Sequence, residues 1–161
     1  MKAKADTFIV PELLEAKGQW SVAKQSPPVT ASDIRKWAIA TAWPETPSRV
    51  YWDDVYAAYT RWGGVIAPPD FNPFAWPIHR PKVEALPGLA DFALTSLNGG
   101  QLETYGVPQR PGDVITERNR IQDFNERQGR FGLMLYTYVE TEWTNQNGEF
   151  VRRRVSTYIS Y

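Results

Sequence analysis

A single stretch of this sequence decides its fold: Tyr51-Trp-Asp-Asp-Val-Tyr-Ala-Ala-Tyr-Thr-Arg-Trp-Gly-Gly-Val-Ile-Ala-Pro-Pro69. Asp53 and Asp54 favour a helix N-terminus, because their charges complement the helix dipole. The apolar side chains after them are spaced to form one stripe along a helix: Val55, Tyr56, Tyr59 and Trp62. The paired glycines at 63 and 64 can adopt the left-handed geometry that ends a helix. We therefore predict one helix, followed at once by a rigid apolar turn at residues 67–69.

Two more helices are predicted nearer the N-terminus. Residues 11–18 suit a short helix with a proline in its first turn and a glycine as its stop. Thr30 can cap a second helix, because Asp33 three residues later completes a variant of the capping box. Apolar residues then recur at helical spacing: Ile34, Trp37, Ala38 and Ala42. Two prolines make residues 43–47 a loop.

The second half of the chain has the pattern of antiparallel strands. Residues 102–108 predict a strand, whereas residues 113–125 alternate only weakly. Residues 130–143 alternate clearly, and one face carries Phe131, Leu133, Leu135, Thr137, Val139, Thr141 and Trp143. Asn145-Gln-Asn-Gly148 indicates a hairpin turn. Helices followed by an antiparallel meander predict an α+β fold, in which a curved sheet wraps one long helix.

The last predicted strand, residues 150–161, carries an arginine run. Simple alternation puts three apolar side chains on one of its faces: Val151, Val155 and Ile159. The same alternation divides Arg152, Arg153 and Arg154 between the two faces, so the run does not form a basic patch on one side.

Composition narrows the range of functions. The 161 residues suit one domain, and 18 basic and 18 acidic side chains cancel, so the basic excess of a nucleic-acid-binding domain is missing. The chain has no cysteine and one histidine, His79, which excludes a thiolate metal site and a multi-histidine metal site within one chain. The N-terminal residues lack an apolar signal core and no apolar run approaches membrane-spanning length, so we expect a cytoplasmic protein without membrane contact.

Several of these motifs, taken in order, resemble the N-terminal-type domain of the MaoC-like hydratase/dehydratase family. The resemblance rests on Val29-Thr30 with Ile34, Tyr51-Trp-Asp53, Gly63 to Pro69, and Pro111-Gly-Asp113, and it runs from about Val29 to Tyr161. It implies a hot-dog fold, an antiparallel sheet wrapped around a central helix, formed by residues 30–161 after a lead-in of residues 1–29. Family members add water to a trans-2-enoyl thioester, giving an R-3-hydroxyacyl thioester, or catalyse the reverse. Coenzyme A or phosphopantetheine carries the acyl group, and no other cofactor is implied.

The chain departs from the family pattern at its catalytic positions. The family uses an Asp and a His five residues apart as an acid/base pair, and a later glycine amide to polarise the thioester carbonyl. By the motif alignment Tyr51 stands at the histidine position and Thr46 at the aspartate position, with Glu45 beside it. Pro68, which has no N–H, falls near the glycine. The resemblance therefore implies an accessory acyl-binding half, paired with a catalytic MaoC-like hot-dog subunit or with a second copy of itself.

Two groups of candidate site residues follow. Glu45 and Tyr51 are the candidates for replacing the lost catalytic pair, although a solvated loop carboxylate and a hydrogen bond at the helix start explain them equally simply. The candidates for binding the acyl thioester are Trp62, Gly63, Gly64, Ala67, Pro68, Phe71, Phe74, Trp76, His79 and Arg80. Within this set, the cations at 79 and 80 could meet coenzyme A phosphates, and the aromatic residues could line an acyl tunnel or pack the core.

Two other functions stay open at this point. The first is a self-sufficient hot-dog hydratase or acyl-CoA thioesterase that uses Glu45 and Tyr51, because hot-dog folds serve both reactions. The second is a non-enzymatic, cone-shaped α+β module that binds a small ligand among its aromatic side chains. No metal site is predicted for any of the three functions.

Overall fold

One antiparallel sheet of five strands organises the protein. The computed structural model describes residues 6–75, 85–90 and 94–161. The strands are β1 (Lys24–Gln25), β2 (Ser96–Tyr105), β3 (Thr116–Gly129), β4 (Gly132–Thr144) and β5 (Phe150–Ser160). They are ordered β1-β3-β4-β5-β2, so β2 forms one edge and the very short β1 lies beside β3 at the other.

The helices precede the long strands, as predicted. They are α1 (Pro11–Ala16), α2 (Ala31–Ala42) and α3 (Asp54–Ala58), with a 3-10 turn at Arg49–Tyr51. The cap of α2 is confirmed, because Thr30 Oγ1 accepts a hydrogen bond of 3.1 Å from the Asp33 N–H. The same helix buries Ile34 and Ala38. In the part of the chain that the structure describes, no helix has the length and apolar character to cross a bilayer.

The prediction for α3 was wrong in its length and in its buried face. The helix ends at Ala58, and the side chains of the predicted stripe at 55, 56 and 59 are exposed, whereas Ala57 is fully buried. Thr60 explains the early end, because its hydroxyl donates to the Ala57 carbonyl at 2.7 Å and accepts from the Trp62 N–H at 3.2 Å. Gly63 does have left-handed geometry, with φ at +63°, but it closes the turn that follows Thr60 rather than the helix.

Two strand predictions needed correction. The strand predicted at residues 102–108 instead spans Ser96–Tyr105, with a register shift between Asn98 and Gly100. The glycines at 99 and 100 have no side chains, so the alternation of the first half of β2 cannot be recognised in the sequence. Similarly, the weakly alternating segment enters β3 only at Thr116, and β3 continues to Gly129; its charged side chains conceal its period. Phe131 lies just outside β4, half exposed, with its ring stacked on Tyr161.

The β4–β5 hairpin is confirmed at the predicted turn. Asn145 Oδ1 accepts hydrogen bonds of 3.0 Å from the N–H groups of Asn147 and Glu149. Gly148 has φ at +76°, a value that favours glycine. Leu135, Thr137 and Trp143 are buried on the predicted face of β4.

A β-bulge in β5 contradicts the predicted common face of Val151, Val155 and Ile159. Trp143 pairs with Arg152 and Thr144 with Phe150, so Val151 is one extra residue in β5. Val151 therefore packs in the core beside Trp143, whereas Val155 pairs with Glu140 on the opposite face of the sheet. The predicted division of the arginines between the two faces is nevertheless confirmed. Arg153 is the one of the three that forms ion pairs with Glu140 and Glu142 on that opposite face.

Two clusters of buried side chains form the core. In the larger one the strand residues Trp143 and Val151, with Ile115 just before β3, pack against Ile34, Ala57 and the segment 65–71. This cluster places the helices and the apolar turn on one face of the sheet, which we call the inner face. In the smaller cluster Phe8 and Leu13 pack against Leu89 and Leu135. The residues before 29 thus contribute both to the core and, through β1, to the sheet.

The other face, which we call the outer face, carries an ion-pair network. Glu140 is only 2% exposed and is contacted by Arg120 at 2.7 Å and by Arg153 at 2.9 Å. Glu142 is paired with Arg118 at 2.7 Å. The ring of Trp20 stacks against the guanidinium groups of Arg118 and Arg120, at 4.3 and 4.4 Å. The Trp20 ring thereby covers part of this charged face.

Candidate functional site

A cavity of about 340 Å³ opens at the edge of the inner face, a volume within the usual range for small-molecule sites. The apolar turn after α3 forms one wall, the segment after β2 forms the second, and the start of β5 forms the floor. The lining residues are Val50, Tyr51, Arg61, Trp62, Ile66, Ala67, Pro68, Pro69, Tyr105, Gly106, Val107, Pro108, Gln109, Val151 and Arg152.

The backbone of the apolar turn offers the cavity no free N–H between residues 66 and 69. The Ile66 N–H donates to the Val50 carbonyl at 3.3 Å, and the Ala67 N–H donates to the Gln109 carbonyl at 2.8 Å. Pro68 and Pro69 have no N–H. An oxyanion hole needs a donor that is not already engaged, so this turn cannot polarise a thioester carbonyl.

Two of the described lining residues carry a charge, and both are arginines. Arg61 is exposed at the rim, with its guanidinium 4.4 Å from the centre of the Trp62 ring. Arg152 is 2% exposed and lies 3.6 Å from the ring centre of Trp143. Arg152 Nη1 donates to the Pro69 carbonyl at 3.3 Å, while Nη2 has no hydrogen-bond partner among the residues the structure describes.

Burial lowers the pKa of Arg152 below its usual range, and the nearby Arg154 lowers it further. An arginine side chain nevertheless stays charged in proteins. The floor of the cavity therefore holds a buried positive charge that carries a desolvation cost. Gln109 adds a second buried atom without a hydrogen-bond partner in the described residues, the acceptor Oε1.

Glu103, the carboxylate whose charge most raises the pKa of Arg152, is already engaged, and Asp70 acts more weakly. Arg154 Nε donates to Glu103 at 2.5 Å, and the Tyr105 hydroxyl donates to the same carboxylate. Burial raises the pKa of Glu103, but these two hydrogen bonds outweigh it, so the pKa lies below its usual value. In turn, the hydrogen bond to Glu103 raises the pKa of Tyr105. Glu103 is thus saturated by its partners and does not form an ion pair with Arg152.

The structure brings four of the predicted site residues together around the cavity: Tyr51, Trp62, Ala67 and Pro68. Gly63 and Gly64 do not line it. Phe71 is fully buried with its ring edge against Trp37, at 5.6 Å between ring centres, and Phe74 packs on Trp143 at the same separation. The predicted residues Trp76, His79 and Arg80 lie outside the described part of the chain.

The two catalytic candidates are placed differently. Tyr51 packs against the larger core cluster and lines the cavity. Glu45 is exposed in the turn after α2, where its N–H donates to the Ala42 carbonyl at 2.7 Å, and it does not line the cavity. The described residues contain no group of three His, Asp or Glu side chains suited to holding a metal ion.

The sequence analysis missed the most unusual site residue, Arg152. Its inward direction follows from the bulge, which places Val151 and Arg152 both on the inner face instead of alternating them. The sequence signal was a run of arginines beside a hairpin turn. Strict alternation, however, places Val151 and Arg152 on opposite faces.

The fold is that of several solved structures. The ChsH1-ChsH2 complex from Mycobacterium tuberculosis matches at 15% identity with a TM-score of 0.73, over 92% of both chains. The MaoC-like dehydratase from Rhodospirillum rubrum matches at 18% identity and a TM-score of 0.61, over 87% of this chain and 90% of that one. The C-terminally truncated HadBC complex, a 3R-hydroxyacyl-ACP dehydratase from Mycobacterium tuberculosis, matches at 18% identity and a TM-score of 0.60, over 89% and 96%.

These likenesses confirm the α+β hot-dog fold and do not support the cone-shaped arrangement. No curated protein matches the chain in sequence. The family described as "FAS1-like, dehydratase domain region" matches residues 15–154, which is most of the chain. The chain therefore belongs to this dehydratase family and is a MaoC-like hot-dog domain.

Proposed function

We propose that this chain is the accessory, acyl-binding half of an R-specific enoyl-thioester hydratase / 3-hydroxyacyl-thioester dehydratase. The hydratase/dehydratase class follows from the family match and from the hot-dog neighbours. One observation carries the accessory role: the described residues that line the cavity include no Asp, Glu or His, and the apolar turn presents no free N–H between residues 66 and 69.

The chemistry explains why this lining argues against turnover by the chain alone. Hydration places a hydroxyl on C3 and a proton on C2, so a base must accept a proton from water and an acid must supply one to C2. The negative charge that develops on the thioester oxygen needs a donor. Tyrosine and arginine, the ionisable residue types in the described lining, are in general poor bases at neutral pH. In our proposal a catalytic hot-dog subunit supplies the acid/base pair and the donor.

The edge strand β2 supports a partner. Its ten residues are nearly all exposed, and Leu97 and Leu102 are 44% and 70% exposed. An exposed edge strand that carries apolar side chains is prone to pair with another chain unless something covers it. Both Mycobacterium tuberculosis structures are described as complexes. We infer that a second hot-dog subunit covers this edge, either a different chain or a second copy, with the acyl thioester carried on coenzyme A or phosphopantetheine.

The test is hydration of crotonyl-CoA and of a longer enoyl-CoA, followed by the loss of enoyl-thioester absorbance. The purified chain is assayed alone and with a MaoC-like subunit that carries an intact Asp-x-Asn-Pro-x-His loop. We expect no turnover by the chain alone. We expect the partner's rate on the longer substrate to increase when the chain is added. Turnover by the chain alone at the rate of the pair would contradict the proposal.

A self-sufficient enzyme is the second candidate, because Tyr51 lines the cavity. It predicts hydration or thioester hydrolysis by the chain alone that is lost in Tyr51→Phe. Glu45→Gln is the companion variant, since Glu45 lies outside the cavity lining. An activity that both variants retain would eliminate these two residues as its source.

A further inference from the structure

The buried guanidinium of Arg152 is the feature that the proposed hydration chemistry does not use. Arg152 is only 2% exposed, and its Nη2 lacks a hydrogen-bond partner among the described residues. The charges of Glu103 and Asp70 attract it without forming an ion pair, so much of the desolvation cost of the buried cation remains. A buried polar group without a hydrogen-bond partner calls for an explanation, and a bound anion is one of them.

The surroundings of Arg152 favour an anion from outside the chain. None of the ion pairs of the described residues includes Arg152. Glu103 is held by Arg154 and Tyr105, and Glu117 accepts a 2.8 Å hydrogen bond from Trp143 Nε1. Among the described residues that line the cavity, the charged ones are Arg61 at the rim and Arg152 at the floor. Glu103 and Asp70, whose charges attract Arg152, do not belong to this lining.

The remaining walls indicate what the anion must be attached to. Ile66, Ala67 and Pro68 are buried and present an apolar surface. Val107 and Val151 continue this surface on the other side of the cavity. A hydrated inorganic ion would gain nothing from these side chains, whereas an alkyl or aryl group would bury its surface against them.

We propose that this cavity binds an apolar organic acid, with the carboxylate on Arg152 and the hydrocarbon part against the apolar turn. A carboxylate matches the planar fork of a guanidinium and neutralises it. A neutral carbonyl could accept a hydrogen bond but would leave the buried charge uncompensated. The proposal goes beyond hydration, because binding requires neither a thioester nor a catalytic partner.

Two sources of the carboxylate share this chemistry. One is a free carboxylic acid. The other is the distal carboxylate of a dicarboxylic acyl group held as a thioester. Octanoate probes the first, and the N-acetylcysteamine thioester of suberic acid probes the second. Methyl octanoate and the octanoyl thioester are the matched uncharged ligands, and inorganic phosphate tests whether any anion is enough.

The experiment is calorimetric titration of the full chain and of Arg152→Gln with these five probes. We expect saturable binding of octanoate or of the suberyl thioester, weakened by at least about tenfold in Arg152→Gln, which corresponds to about 1.4 kcal/mol. The uncharged ligands should bind more weakly and should not distinguish the two proteins. Tighter binding of octanoate identifies a free acid as the source, and tighter binding of the suberyl thioester identifies the acyl group.

Two further variants keep the test decisive. Arg130→Gln removes the same charge at the far end of the β3–β4 hairpin and should leave binding unchanged. Arg152→Lys keeps the charge but loses the fork, so it should bind octanoate with intermediate affinity even if Arg152→Gln folds poorly. The proposal is overturned if no carboxylate binds saturably, if methyl octanoate binds as tightly as octanoate, if phosphate competes equally, or if Arg152→Gln binds like the wild type.

Discussion

The guanidinium of Arg152 lies over the indole ring of Trp143, with Cζ 3.6 Å from the ring centre. The two residues are paired across β4 and β5, directly beside the bulge at Val151. The ring partly compensates the buried charge, because its face is electronegative. The contact connects the hairpin, the core and the floor of the cavity, so changes to either residue report on both stability and ligand binding.

Replacing Trp143 by Leu should be among the most destabilising single changes in the sheet. The indole is 4% exposed, packs in the larger core cluster, and donates a hydrogen bond of 2.8 Å to Glu117. We expect a loss of about 3 kcal/mol in the free energy of unfolding, measured by urea titration. Phe131→Leu is the control, because that ring is half exposed, and it should cost less than about 1 kcal/mol.

Replacing Arg152 by Met should leave the isolated chain as stable as before or more stable. The substitution removes a buried charge that has no ion-pair partner among the described residues and leaves a side chain of similar length. We expect a gain of about 0–2 kcal/mol in the free energy of unfolding. A loss above about 2 kcal/mol would mean that the native fold, rather than a ligand, requires the charge.

Replacing Glu140 by Gln should destabilise the outer face of the sheet. The carboxylate is 2% exposed and compensates Arg120 and Arg153, which are themselves 32% and 48% exposed in their side chains. Because both arginines can regain water, we expect a loss of about 2 kcal/mol rather than the full cost of stranding a buried charge. Glu15→Gln, on the exposed side of α1, is the matched control and should have no measurable effect in the same urea titration.

The outer face should also make stability sensitive to acid. The hydrogen bond from Arg118 holds the pKa of Glu142 below its ordinary value of 4.5. A carboxyl whose pKa is lower in the folded state stabilises the fold above the unfolded pKa, and this contribution is lost as the pH falls through the folded pKa. Between pH 6 and pH 3 the wild type should therefore lose more stability than Glu142→Gln. Parallel profiles of melting temperature against pH would contradict this assignment.

Local sequence signals predicted α2 and the β4–β5 hairpin correctly. Thr30 with Asp33, and Asn145 with Gly148, fix their own backbone through hydrogen bonds between neighbouring residues. The motif order of the MaoC-like family also anticipated the hot-dog fold and four of the residues that line the cavity. These features depend on residues close together in the chain, or on a pattern that spans most of it.

The predictions for α3 and β5 were wrong because, in each, one interaction outweighs the regular spacing of apolar side chains. Thr60 ends α3 through its hydroxyl, a competition that helical spacing does not express. The bulge at Val151 depends on the register with Trp143 and Thr144, so it could not be located from β5 alone. Arg152, the floor of the cavity, was missed for this reason.

The central claim is that this hot-dog half contributes binding surface and no acid/base chemistry of its own. The most direct test is the rate of enoyl-thioester absorbance loss with the purified chain alone, and then with a catalytic MaoC-like subunit. We predict no detectable turnover by the chain alone, and an increased rate on the longer enoyl-CoA when the two proteins are combined. Full turnover by this chain without a partner would contradict the claim.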